Sequence, residues 1–227
     1  MKALILAAGY GTRLYALVKD TPKALLKISS KPLIDYIIEK IEHLKGLEEI
    51  ILVTNNKFYP VFREWAKQRK FPCQIDIVND GTKVPEERLG SIGDIDFVLK
   101  QKSIKDDLLV IGGDNLFDYA LDEYVVFAKG KSPCVTIGLY DIANLQEAKN
   151  FGVVSLNASH KIVSFEEKPQ EPKSTLIAMC CYYLPQKSLG LIREYLLELK
   201  KSDTAGDYIR WLHQRHDVYG FTFTGRW

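Results

Sequence analysis

The chain has 227 residues, of which 46% are hydrophobic, 26% charged and 11% aromatic. That length is about 1.5 times a typical domain, so it predicts one large domain or one domain with an elaboration, able to bury roughly 70% of its unfolded surface without staples. Thirty-one Lys and Arg against 29 Asp and Glu leave a net charge of +2, which excludes a single-sign field for nucleic acid or a bilayer, and the composition excludes disorder and collagen-like structure. The apolar opening run Ala3–Ala8, with Arg13 close behind, is short for the h-region of a signal peptide. It predicts a parallel strand buried on both faces. Pro32–Leu44 predicts a helix with Leu33, Ile34, Ile37, Ile38 and Ile41 on one face. Glu49–Thr54 is the next strand, followed by a helix over about Phe58–Lys70 and a strand at Gln74–Val78. A polar loop (Asn79–Arg88) leads to a helix from near Ser91, and Asp107–Gly113 is a strand ending at Asp114. A helix near Tyr119–Lys129 and a strand at Cys134–Leu139 complete the alternation.

Strands alternating with helices predict an α/β fold, a Rossmann-like, mostly parallel sheet flanked by helices. Ligands of such sheets sit beyond the carboxyl ends of the strands, where the loops at Gly9, Thr54, Asn79 and Asp114 should converge. After about residue 140 the rhythm changes. Gly152–Leu156 and Lys161–Glu167 predict a hairpin around Asn157–His160, and Thr175–Leu184 is a further strand. Lys187–Lys200 and Gly206–His216 read as helices and Val218–Thr224 as a last strand. This half is a β-rich elaboration of one domain over residues 1–227, with 1–140 and 141–227 as its parts. Trp65 and Trp211 are expected to pack the sheet.

The four cysteines, Cys73, Cys134, Cys180 and Cys181, form no Cys-x-x-Cys pair, which fits reduced thiols in a cytoplasmic protein rather than a disulfide framework. No run of 18 apolar residues predicts a membrane span. His213 and His216 are three apart on a predicted helix, but spacing suggests no third ligand, so a structural role is the expectation.

The strongest local signal is Leu6-Ala-Ala-Gly9-Tyr-Gly11-Thr12-Arg13-Leu14, with Pro22-Lys23 beyond it. Glycines after a buried strand let the backbone turn tightly and approach a ligand, and successive N–H groups then form a concavity for phosphate oxygens. Arg13 and Lys23 add positive charge against a polyphosphate. It is not a dinucleotide fingerprint, because the third glycine would fall at Leu14, and no Gly-Lys-Ser/Thr makes it a Walker A loop.

These residues, continued by Pro22-Lys-Ala-Leu-Leu-Lys-Ile-Ser-Ser-Lys-Pro-Leu-Ile-Asp-Tyr36, resemble the signature of the sugar-1-phosphate nucleotidyltransferases, or nucleotide-sugar pyrophosphorylases. Glucose-1-phosphate thymidylyltransferases and uridylyltransferases are members. The likeness continues at Leu89-Gly90-Ser-Ile-Gly93-Asp94, Gly112-Gly-Asp114-Asn115, Phe151-Gly152-Val-Val and Glu166-Glu167-Lys168-Pro169, over nearly the whole chain. It implies attack of a sugar-1-phosphate oxygen on the α-phosphorus of a nucleoside triphosphate (NTP), with pyrophosphate leaving and an NDP-sugar forming. It also implies that Ala8, Gly9, Gly11, Thr12 and Gly90 hold the nucleotide, that Arg13 and Lys23 are catalytic, and that Asp114 binds Mg²⁺. Gly152, Glu167 and Lys168 would hold the sugar phosphate in the β-rich part. Partners are then an NTP and a sugar-1-phosphate, with no nucleic acid and no membrane; oligomeric state stays open.

The sequence departs from the family pattern in three places. Many thymidylyl- and uridylyltransferases carry a glutamine shortly before the glycine matching Gly90 to read the base, where this chain has Pro85, with Asn79 and Glu86 as candidate replacements; the nucleobase stays open. Cys181 stands where many relatives have glycine, which leaves the sugar open. The family's Trp-x-Asp-x-Gly, with a second metal-binding aspartate, is reached only to Trp227, so the expected C-terminal continuation lies outside this sequence. Alternatives are cytidylyl transfer to another phosphorylated alcohol such as phosphocholine, and a non-catalytic nucleotide-sugar-sensing subunit.

Overall fold

The computed structural model of the chain describes residues 1–11, 21–199 and 204–227. The chain forms two compact units, Met1–Phe117 and Asp118–Trp227.

In the first unit the chain runs through β1 (Lys2–Leu6), a small ribbon of β2 (Lys27–Ile28) and β3 (Lys31–Pro32), and α1 (Leu33–Ile41). It continues through β4 (Glu49–Thr54), α2 (Tyr59–Lys67), β5 (Gln74–Asn79), α3 (Gly90–Gln101) and β6 (Leu108–Gly112). The sheet order is β6-β1-β4-β5 and every pairing is parallel, with Leu6 standing between Val53 and Gly112. Every residue of β4 and β6 is buried, as are Ala3, Leu4 and Ile5 of β1. Strands apolar on both faces can only be central strands covered by helices. Helix α1 buries the predicted stripe, Leu33, Ile34, Ile37, Ile38 and Ile41. Helix α2 buries Phe62 and Trp65, and the Trp65 indole N–H donates to Asp35 of α1 at 3.1 Å.

The strand order sets the position of a ligand site. From β1 the chain steps outward to β4 and β5, then returns to add β6 on the other side of β1. The carboxyl ends of β1 and β6 are therefore the point where the winding reverses, which is where open parallel sheets bind ligands.

The second unit holds α4 (Asp122–Gly130), β7 (Val135–Asp141), a one-turn α5 (Leu145–Ala148), β8 (Gly152–Leu156) and β9 (Ile162–Glu167). After these come β10 (Leu176–Leu184), α6 (Gly190–Glu198), α7 (Ala205–His213) and β11 (Val218–Phe223). Strand β7 lies between β11, parallel to it, and β10, antiparallel; β8 pairs antiparallel with β10 and β9. The β8–β9 hairpin turns where predicted. The Asn157 side-chain oxygen accepts from the N–H groups of Ser159 and Lys161, and His160 takes a positive φ of 65°, so the side chain stands in for a backbone turn partner. Trp211 joins Tyr195 and Tyr208 in an aromatic cluster of α6 and α7, and its N–H donates to Glu198 at 2.8 Å. The first unit thus has the parallel α/β architecture that the alternation predicts, while the last two elements of that alternation, α4 and β7, fall in the β-rich second unit and not in the first.

Candidate functional site

Beyond Leu6 the chain is fixed from the β4 side. Ala7 N–H donates to Val53 O at 2.9 Å, the Thr54 hydroxyl to Ala7 O at 3.2 Å, and the buried Asn55 amide to Ala8 O at 2.9 Å. Gly9 follows, exposed, with open space where a Cβ would project. Gly11 has φ +66°, a left-handed conformation that glycine adopts freely. Thr12 and Arg13 lie outside the described residues.

The β6 side closes on the same point. Gly113 N–H donates to Leu6 O at 2.8 Å. A Cβ at Gly113 would lie 2.9 Å from that carbonyl and 3.3 Å from Ala7 Cβ, so only glycine lets the chain pass β1 this closely. The next residue is Asp114. Its Oδ2 lies 2.6 Å from Nζ of Lys23, which comes from a 3₁₀ turn at Lys23–Leu25. Both side chains are about half exposed, 46% and 48%. Two predicted site residues far apart in sequence thus meet as one ion pair at the switch point.

Asp114 suits Mg²⁺ as a donor. It is a hard anionic oxygen ligand reachable from solvent, and Mg²⁺ commonly takes one or two carboxylates and fills its shell with phosphates and water. Among the described residues no three His, Cys, Asp or Glu side chains gather into a metal cage.

The third wall is the loop after β5. Gly90 opens α3 with φ +76°. Asn79 is engaged at both ends of its amide, donating to Asn56 at 3.0 Å and accepting from Gly81 N–H at 2.9 Å. Pro85 sits in a 3₁₀ turn, Pro85–Glu87, and Glu86 is exposed. Sequence reasoning missed a hydrogen-bonded chain here. The Tyr10 hydroxyl donates to Thr82 Oγ1 at 3.0 Å, and Thr82 donates to Asp80 Oδ1 from its hydroxyl at 2.8 Å and its N–H at 2.7 Å. Asp94 of α3 hydrogen-bonds Asp80 and is buried. Burial, then the Asp80 charge and hydrogen bond, push the Asp94 carboxyl up to about 8; burial also raises Asp80, against the bonds from Thr82 and Asp94. The signal was present: Asp94 interrupts the buried α3 stripe of Ile95 and Val98, where an apolar residue is expected. The four predicted loops converge.

The second unit carries the other predicted residues. Gly152 pairs with Glu167 across β8 and β9, and a Cβ on it would lie 2.6 Å from the Phe165 ring and 3.1 Å from Glu167 Oε2. Lys168 has φ +47°, unusual for a residue with a side chain, and its N–H donates to Phe151 O at 3.0 Å. The half-buried Glu167 carboxyl is raised by burial, with the Lys168 charge acting the other way from Nζ 4.0 Å away. Gly206, in the first turn of α7, was not anticipated: a Cβ there would overlap Glu167 Oε2. Gly152, Glu167 and Lys168 therefore form one cluster, backed by α7.

A profile for nucleotidyl transferases matches residues 2–227. The chain belongs to this family. It is 29% identical over its full length to the bifunctional protein GlmU of Methanocaldococcus jannaschii, covering 50% of that protein. It is 28% identical to the glucose-1-phosphate adenylyltransferase of Thermosipho africanus, over 99% of this chain and 57% of the relative. The chain thus spans about half the length of the curated relatives it matches. Among solved structures, a Bacillus anthracis protein assigned as a glucose-1-phosphate thymidylyltransferase, in complex with sucrose, superposes with TM-score 0.78 at 23% identity, covering 99% of this chain and 87% of that one. A UDP-glucose pyrophosphorylase complexed with UDP-glucose gives 0.77 at 22% identity, covering 99% and 91%. At such identities these two likenesses establish the fold, the mixed α/β fold described above.

Proposed function

We propose that the chain transfers a nucleotidyl group from an NTP to a sugar-1-phosphate, releasing pyrophosphate and forming an NDP-sugar. Family membership supports this class of reaction. The observation that carries it to this chain is the Lys23–Asp114 pair at the switch point beside the glycine loop.

A sugar-1-phosphate oxygen already carries its negative charge, so no general base is required. That oxygen forms a bond to the α-phosphorus while the bond from α-phosphorus to the bridging oxygen breaks, and both electrons leave with pyrophosphate. Such a reaction needs alignment and charge neutralisation. In this reading Ala8, Gly9, Gly11, Thr12 and Gly90 cradle the nucleotide, and Arg13 and Lys23 counter the triphosphate charge. Gly152, Glu167 and Lys168 receive the sugar phosphate, the carboxylate accepting from sugar hydroxyls and the ammonium meeting phosphate. Asp114 would hold Mg²⁺, which when bound would supply positive charge to the phosphate oxygens, and Lys23 beside it would bring its ammonium to the same phosphates. Four free cysteines and an NTP substrate support a cytoplasmic setting.

The test is pyrophosphate release with Mg²⁺, crossing the common NTPs and dTTP with glucose-, mannose-, galactose- and N-acetylglucosamine-1-phosphate. Release with one pair, and none without the sugar phosphate, is the expected result. Silence across the grid, while nucleotides still raise the melting temperature, would overturn catalysis in favour of nucleotide sensing.

A further inference from the structure

We propose that Asp80 and Asp94 share one proton and, through Thr82 and Tyr10, set the spacing between the glycine loop and the loop after β5, so that this buried pair controls how tightly the NTP is held. The inference rests on the reading of the glycine loop as the nucleotide site.

The hydrogen-bond directions require it. Thr82 has a single hydroxyl proton and spends it on Asp80 Oδ1, so its bond with Tyr10 runs from the phenol to the Thr82 oxygen. Asp80 accepts both the hydroxyl and the N–H of Thr82, as a carboxylate does. Asp94 is hydrogen-bonded to it from α3, and a hydrogen bond between two carboxyls requires a proton on one of them. A second observation agrees: Asp94 Oδ1 is buried with no hydrogen-bond partner. A neutral carboxyl tolerates that, whereas a carboxylate there would be a buried, unsolvated charge. Among the described residues, the other titratable groups facing this chain are Tyr10 itself, from the glycine loop, and Glu87, from the 3₁₀ turn. Neither supplies a positive charge that would offset a second carboxylate. Removing the shared proton sets two carboxylates against each other, displaces Asp80 and Thr82, and takes the acceptor away from Tyr10.

The experiment is calorimetric binding of the four ribonucleoside triphosphates and dTTP, without sugar phosphate, from neutral pH to about one unit above the titration of the pair. It uses the whole chain and the variants Y10F, D94A and D94N, each checked for an intact melting transition. Y10F is expected to weaken binding about 3- to 10-fold at neutral pH, the effect of one hydrogen bond. D94A should weaken it as well. D94N, which keeps a donor towards Asp80 without titrating, should restore the neutral-pH affinity and lose the alkaline decline of the wild type. Parallel pH profiles in wild type and D94N, or wild-type affinity in Y10F, overturn the proposal while leaving the functional reading intact. Binding of no NTP overturns both. Infrared spectroscopy of the unliganded protein gives an independent check: a protonated-carboxyl band at neutral pH is expected in the wild type and not in D94N, and its absence from the wild type overturns the shared proton.

Discussion

An ammonium and a carboxylate 2.6 Å apart, each about half exposed, contribute only about 0–1 kcal/mol to stability. The Lys23–Asp114 pair is therefore poorly explained as a folding device, and its position where the winding reverses fits the charge chemistry proposed for it. Asp114→Ala and Lys23→Ala should each lower kcat/KM about 100-fold or more, the scale seen when one preorganised charge partner is removed. The melting temperature should move little. Steady-state kinetics with thermal unfolding check both, and full activity in either variant would remove that residue from the site. The sequence singled out both residues: Asp114 follows a buried strand and Gly112-Gly113, and Lys23 was marked by the family resemblance. Tyr10, Asp80 and Thr82 were not: their chain closes across loops, where neither residue type nor spacing announces a partner. Asp94 carried a partial signal, a carboxyl in an apolar stripe.

Among the elements, the buried strands and amphipathic helices were legible nearly to their ends, because continuous apolar runs and the α1 stripe admit one reading each. The β2–β3 ribbon and α5 were not. Two-residue strands and a four-residue helix are too short to develop a period. The packing of α7 on β9 was also hidden, and with Glu167 in its proposed role it yields a prediction. Gly206 lies in the first turn of α7, where Gly→Ala would ordinarily favour the helix by up to about 1 kcal/mol. Here the added Cβ would overlap the Glu167 carboxylate, so α7 and β9 must part or Glu167 must swing away. Gly206→Ala is expected to raise KM for the sugar-1-phosphate severalfold while KM for the NTP changes little. Equal effects on both substrates would make Gly206 a general packing position and not a support for Glu167.

At the scale of the molecule, two buried carboxyls of the first unit oppose each other in their pH dependence. Glu49, 6% exposed at the head of β4, is raised by burial but lowered further by hydrogen bonds from Lys2 and Lys102, for a net downward shift. A carboxyl lowered in the fold adds stability above its unfolded value, about 4.3, and loses it as pH falls through the folded value. Asp94 has the opposite sign. Its folded value near 8 lies above the unfolded value of about 3.9, so its contribution is complete below about 3.9 and is lost as pH rises towards 8. Asp80, raised by burial, adds to the same limb. Unfolding of the first unit should therefore show an acid limb governed by Glu49 and a mildly acidic-to-alkaline limb governed by the aspartate pair. Denaturant midpoints measured against pH separate them. Glu49→Gln should cost roughly 2 kcal/mol at neutral pH, since it leaves Lys2 and Lys102 without their shared anion, and should flatten the acid limb. Asp94→Asn should leave the acid limb and make the other shallower. A D94N profile with the wild-type slope between about pH 4 and 8 would assign that slope to other groups and contradict a proton held by the pair in the fold.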